Sequence, residues 1–257
     1  MHILVTNDDG VSYPGLLALA QSMREVGEVT VLAPNKNWSA SGHVKTLHRP
    51  LRIRQTALAD GTLAFTSDGA PSDCVALAVL GFIEKKIDLV VSGINPYGNL
   101  GDDVTYSGTV TAAMEAAISG LPGIAFSLDA PTDFQGKKDF GPASQIAQAI
   151  VKEASKHKLP HNTLLNVNIP FLFMEDIQGI RVTRLGLRVY RNELVSRDDP
   201  YGRPYYWIGG EAPTGVPEEG TDIGALNDGY VSISPVHLDM TAYTLMDEVS
   251  DWEWTLG

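Results

Sequence analysis

The chain has 257 residues, 44% hydrophobic and 19% charged, which suits one large α/β domain or a domain with an arm and excludes a disordered chain. Nineteen basic residues against 31 acidic ones give a formal charge of −12, which argues against a nucleic-acid coat but not against a small anionic substrate, since a bound cation inverts charge locally. One cysteine, Cys74, precludes an intrachain disulfide; with no apolar run near the ~20 residues of a membrane span and no leader pattern, a cytoplasmic protein is expected.

Residues 3–10, Ile-Leu-Val-Thr-Asn-Asp-Asp-Gly, read as a buried parallel strand that stops on two adjacent carboxylates. Asn, Asp and Gly are turn formers, and paired carboxylates also suit a divalent cation; on this segment alone both readings stay open. A helix over 14–26 begins at Pro14, a good first-turn residue, and stops at Gly27. A strand over 28–33 follows, then a polar loop over 34–46 without periodicity, and long loops are often functional. Residues 51–54 and 63–66 pattern as a short β pair around Asp60-Gly61, and an apolar helix runs from Pro71 and Ser72 through Ile83. Next come a buried strand over 88–92, a glycine-rich loop over 93–108, a small-residue helix over 109–119 and a strand over 123–128. A helix at about 143–157 and a strand at 164–169 complete the regular part.

Strand–helix alternation of this kind implies a doubly wound, mostly parallel sheet covered on both faces, a Rossmann-like α/β core over 1–180. Residues 181–257 change texture, with β pieces at 180–183, 205–208 and 230–233 and a short helix within 241–254. Tyr205, Tyr206, Trp207, Trp252 and Trp254 mark this extension as an oligomerisation arm packing on the core and on neighbouring subunits, because aromatics are enriched at interfaces.

Three loops follow parallel strands and so emerge on one sheet edge. They carry Asp8 and Asp9, then Ser39, then Asn95: two carboxylates, a hydroxyl and an amide oxygen. This all-oxygen set suits Mg²⁺, Mn²⁺ or Ca²⁺ rather than zinc. Ser107-Gly108-Thr109 opens a helix whose free N–H groups and dipole favour an anion; on this motif alone an ordinary cap by Ser107 or Thr109 is the commoner reading. The lysine of a P-loop is missing. His43 is the one histidine in a site loop and has a structural or a proton-transfer reading. Cys74 reads as a buried hydrophobe, Glu115 as structural, and Asp102-Asp103 as turn and solvated loop rather than a second cation site.

With NDDG (7–10), GAPSDC (69–74), SGIN (92–95), NLGDDVTYSGTV (99–110), LNVNIP (165–170), VTR (182–184), TD (221–222) and GYVSISP (229–235), the chain resembles the SurE family of stationary-phase survival proteins, metal-dependent 5′-nucleotidases. The resemblance covers nearly the whole chain. It implies one divalent cation per subunit, Mg²⁺ or Mn²⁺, on Asp8, Asp9, Ser39 and Asn95, and phosphate near Asn99 and the Ser107-Gly108-Thr109 helix start. It also implies a homodimer or homotetramer exchanging the C-terminal arm. The implied reaction converts nucleoside 5′-monophosphates to nucleoside and phosphate, with 3′-nucleotides and short polyphosphate as further substrates; Asp8 and Asp9 would carry the catalysis, Asp9 acting on the water. Two positions depart from the family: Tyr97 stands where a glycine is usual, and Ala70 where threonine is favoured. The rival readings are an aspartyl-phosphate phosphatase of the haloacid dehalogenase type, which wants Asp-x-Asp rather than adjacent aspartates, and a non-catalytic nucleotide-binding regulator.

Overall fold

The computed structural model describes residues 1–255. Its centre is a nine-stranded sheet in the order β3-β4-β2-β1-β5-β6-β7-β13-β8. These are β1 (His2–Thr6), β2 (Glu28–Pro34), β3 (Ile53–Ala57), β4 (Leu63–Ser67), β5 (Leu89–Asn95), β6 (Gly123–Asp129), β7 (Thr163–Pro170), β8 (Ile180–Val182) and β13 (Val231–His237). The six strands from β4 to β7 in that order run parallel; β3 and β13 are antiparallel to their neighbours β4 and β7.

Side-chain alternation on the strands sorts the core into two layers. Ile3 and Val5 of β1 point to one face, where they meet Leu16, Leu19 and Met23 of α1 (Pro14–Arg24) and Ile146 and Ile150 of α4 (Gly141–Ala154). Leu4 points to the other, against Cys74 and Val75 of α2 (Pro71–Leu77) and Ala112 and Ala116 of α3 (Gly108–Ile118). Helices cover both faces, which is why the inner strands are apolar throughout rather than alternating.

From β1 the chain winds outward to β2 on one side, and later strands wind outward from β5 on the other. The carboxyl ends of β1 and β5 therefore flank the crevice at which the strand order reverses, where open α/β sheets bind ligands.

Several elements differ from expectation. The helix from Pro71 is regular only to Leu77; Ala78–Phe82 widens into a looser turn because Gly81 adopts φ 118°, a conformation closed to most residues. The fourth helix begins at Gly141 and ends at Ala154, and the terminal helix shrinks to α6 (Met246–Ser250). After residue 180 the chain divides. The strands β8 and β13 join the main sheet, while β10 (Asn192–Asp198) and β11 (Pro204–Gly210) form a separate exposed hairpin. Two further elements had no sequence signal: the two-residue pair β9 (Arg188–Val189) with β12 (Thr214–Gly215), and α5 (Asp222–Asn227). No helix among the described residues is long and apolar enough to cross a membrane.

Candidate active site

An open cleft of about 260 Å³ lies at the carboxyl ends of β1 and β5 and is lined by Asp8, Asp9, Ser39, Asn95, Asn99 and Ser107, with Asn37, Tyr97, Asp103 and Tyr106 among its further walls. Six of the eight expected site residues thus share one cavity. Gly108 and Thr109 stand behind Asp8 instead. A larger groove of about 670 Å³ opens on the loops around residues 120–122 and 157–163, which precede β6 and β7, and it holds no paired carboxylates.

The Asp8–Asp9 turn is built by its neighbours. Asn7 closes it: its amide nitrogen donates to the Gly10 carbonyl at 3.1 Å and its amide oxygen accepts from the Gly10 N–H at 3.2 Å. The Asp8 carbonyl accepts from the Trp38 N–H at 2.7 Å, which pins the Ser39 loop to the acid turn. Asp8 itself is buried, and the Thr109 hydroxyl donates to its Oδ1 at 2.5 Å. A Cβ on residue 108 would stand 2.6 Å from the Asp8 Cβ, so only glycine lets the start of α3 press this close.

The other donors are oriented too. Asn95 donates its amide nitrogen to the Tyr97 carbonyl at 2.6 Å, leaving its amide oxygen as the free end. Ser39 is exposed, and its backbone N–H donates to the Asn37 side-chain oxygen at 2.7 Å, while the Asn37 amide reaches Asp9 Oδ1 at 3.4 Å. Ser107 caps α3 by accepting from the Val110 N–H at 3.2 Å, the ordinary role weighed for it from sequence. Asn99 donates its amide to Ser127 at 2.7 Å, and its backbone is held by Asn166 and Asn168 of β7.

The electrostatics explain what this arrangement lacks. Burial raises the Asp8 carboxyl above the ordinary range, opposed by hydrogen bonds from the Thr109 hydroxyl and backbone. Burial and then the Asp8 charge push Asp9 up to about 8, with Lys138 opposing. The Asp9 Oδ2 atom is buried without a hydrogen-bond partner. Two close carboxylates in a desolvated cleft repel one another unless a proton or a cation intervenes. Among the described residues no three of His, Cys, Asp or Glu gather as a metal-binding group. A cation here would have to complete its shell from hydroxyl and amide oxygens, a set suited to a hard ion. The residues present fit that requirement, with the orphaned Asp9 oxygen as its clearest sign.

The comparisons with known proteins give the family. The family model described as "Survival protein SurE" matches residues 3–192. The chain belongs to the SurE family. This SurE-family chain is 52% identical over 254 residues to the "5'-nucleotidase SurE" of Chloroflexus aggregans, covering 99% of this chain and 100% of the relative. It is 50% identical to the protein of the same name from Herpetosiphon aurantiacus, with 99% of each chain covered. The crystal structure of the SurE protein from Aquifex aeolicus superimposes with a TM-score of 0.81 at 42% identity, covering 97% of this chain and 98% of that one. The Rossmann-like, mostly parallel α/β architecture with small C-terminal sheets is thus the SurE fold.

Several site-building residues had no sequence signal. Asn37 ties Ser39 to Asp9. Asp222 holds the far loop, accepting from the Gly101 N–H and the Gly186 N–H at 2.8 Å each. Asp103 sits in a turn, as expected, its carbonyl accepting from the Tyr106 and Ser107 N–H groups, but its carboxylate is paired rather than solvated: Arg188 donates to it at 2.6 Å and Tyr190 at 2.7 Å. Asp102 is exposed. Glu115 is structural in its contacts, accepting from His43 at 2.9 Å and Lys45 at 3.0 Å. Cys74 is fully buried, and burial pushes its thiol up, away from nucleophilic use.

Proposed function

We propose that the chain is a divalent-cation-dependent phosphomonoesterase that hydrolyses nucleoside 5′-monophosphates to nucleoside and phosphate. The observation that carries this reading is the buried, unpartnered Asp9 Oδ2 beside Asp8, at a strand-end cleft that also holds the Asn95 amide oxygen and the Ser39 hydroxyl. The names of the two relatives above supply the reaction class.

Asp8, Asp9, Ser39 and Asn95 would hold the cation, Mg²⁺ or Mn²⁺ by the hardness of their oxygens. Bound there, it would neutralise phosphoryl charge and lower the pKa of water. Asp9 orients the attacking water and takes its proton at a carboxylate oxygen. Ser107, Asn99 and the Gly108 N–H at the start of α3 receive the phosphoryl oxygens, since a helix start favours negative charge. Thr109 turns both its hydroxyl and its backbone to Asp8, so its part in phosphate binding is to hold that carboxylate in place. In this reading 3′-nucleotides and short polyphosphate are secondary substrates. The chain assembles as a homodimer or homotetramer through the extension beyond residue 180.

A panel of 5′- and 3′-nucleotides and short polyphosphates, assayed with Mg²⁺, Mn²⁺ or EDTA, tests this. Phosphate release from 5′-nucleotides should require the cation and fall by at least about 100-fold in Asp8→Ala and Asp9→Ala, the scale expected when groups central to the chemistry go. No cation-dependent release from any member, or full activity in both variants, would remove the hydrolase reading.

A further inference from the structure

The cleft pairs its acidic floor with an aromatic wall that the phosphoryl chemistry leaves unused. Tyr97 lines the same cavity as Asp8, Asp9 and Asn95 and keeps 39% of its surface exposed. It follows Asn95 by two residues, a backbone reach of at most about 7 Å. Its carbonyl is fixed by the Asn95 amide at 2.6 Å, so the ring's origin is rigid relative to the candidate cation ligand. Lys138 holds its ammonium 4.9 Å from the ring centroid.

An exposed aromatic ring anchored two residues from a candidate cation ligand, with Tyr106 as a second aromatic wall of the same cleft, has an evident use when the ligand is a nucleotide. Bases stack on aromatic faces whatever their sequence, because every base has a π-face. In a nucleoside 5′-monophosphate the ribose separates phosphate from base. A phosphate seated at Ser107, Asn99 and the α3 start, beside the cation ligands, therefore sends its base outward to a wall one sugar away, not onto the floor. A cation over the ring restrains its side-chain rotation.

We infer that Tyr97, backed by Lys138, is the specificity-determining wall for the nucleobase, so that discrimination between nucleotides and baseless sugar phosphates rests on this side chain. The inference depends on the nucleotidase reading and extends it to the recognition of the substrate's base.

The test compares kcat/KM for adenosine 5′-monophosphate with kcat/KM for ribose 5-phosphate in wild type, Tyr97→Ala and Tyr97→Phe, with the cation saturating. The nucleotide-to-sugar-phosphate ratio should fall about 5- to 100-fold in Tyr97→Ala, the range for loss of one base–aromatic stack, and should fall through KM. Tyr97→Phe keeps the ring and should restore the ratio to within about threefold of wild type, because stacking needs no hydroxyl. An unchanged ratio in Tyr97→Ala, with both substrates losing equally or neither losing, overturns the assignment, the first of these showing that the residue acts on Asn95 alone. Wild-type protein that cleaves ribose 5-phosphate but shows no preference for the nucleotide also overturns it while sparing the phosphatase reading. Wild-type protein that cleaves neither removes the nucleotidase reading itself, and this inference with it.

Discussion

At the scale of single residues, the most consequential contact in the cleft is made by a side chain that does not line it. Thr109 is fully buried and gives its hydroxyl to Asp8 Oδ1, the only side-chain hydrogen bond that Asp8 receives among the described residues. Without that donor the carboxylate would be desolvated on one side and free to turn. Groups that orient a ligand in this way typically change metal affinity by 10- to 100-fold when removed. Thr109→Val, which keeps the shape and deletes the hydroxyl, is therefore expected to weaken Mn²⁺ binding by about tenfold or more, read by calorimetric titration of the metal into the protein. Thr109→Ser should bind nearly as wild type. If valine binds Mn²⁺ as tightly as threonine, Asp8 is held by packing and the backbone, and its hydrogen bond is incidental.

At the scale of elements, α3 fastens the site at two points: its start presses on Asp8 through Gly108, and Glu115 farther along grips the loop that carries Ser39. Burial alone would raise the Glu115 carboxyl, but hydrogen bonds from His43 and Lys45 outweigh it and hold the group below its ordinary value of 4.5. The folded state thus favours the charged form. Its contribution is complete above the ordinary carboxylate range and is lost as pH falls through the lowered value. Partners that are partly exposed keep the gain modest, about 1 kcal/mol. Glu115→Gln should accordingly lower Tm by about 2–4 °C at neutral pH. The gap to wild type should close as pH drops below about 4, measured by calorimetry across a pH series. A gap that persists unchanged at low pH would assign the loss to packing rather than to charge.

These elements also show what could be read in advance. Asp8 and Asp9 follow β1, Ser39 follows β2 and Asn95 ends β5, so parallel strands bring all four to one edge, and apolar strands such as His2–Thr6 and Leu89–Asn95 declare themselves by composition. The supports around them were not legible. Asn99 meets Asn166 and Asn168 across more than 60 residues, and Gly101 meets Asp222 across 121, distances over which a linear pattern carries no signal. The strand Asn192–Asp198 was invisible for a different reason: exposed along most of its length, it shows no alternation that burial would impose.

At the scale of the whole molecule, a charge of −12 and an exposed aromatic hairpin pull in opposite directions. Net charge of one sign keeps copies apart in solution. Yet β10 and β11 display Leu194, Tyr206, Trp207 and Ile208, the last two 65% and 85% exposed, with polar and charged neighbours in the same strands. A monomer seldom leaves both faces of a ribbon carrying so many uncovered apolar side chains, and aromatic residues contribute most to interface stability. The hairpin is also a two-stranded ribbon apart from the main sheet, a unit marginally stable in water by itself. Both arguments point to the same remedy, a second copy of the chain laid against it. Trp207→Ser combined with Ile208→Ser should therefore shift the assembly towards monomer, raising the dissociation constant by at least about 100-fold, since each buried aromatic or branched side chain is worth about 1.5–3 kcal/mol. Sedimentation over a range of protein concentrations reads this directly, and circular dichroism of the Rossmann-like core should be unchanged because both residues are exposed on a sheet separate from it. A double variant that sediments as wild type would mean that the hairpin lies outside the interface between copies, and the exposed strip would then need another partner to explain its composition.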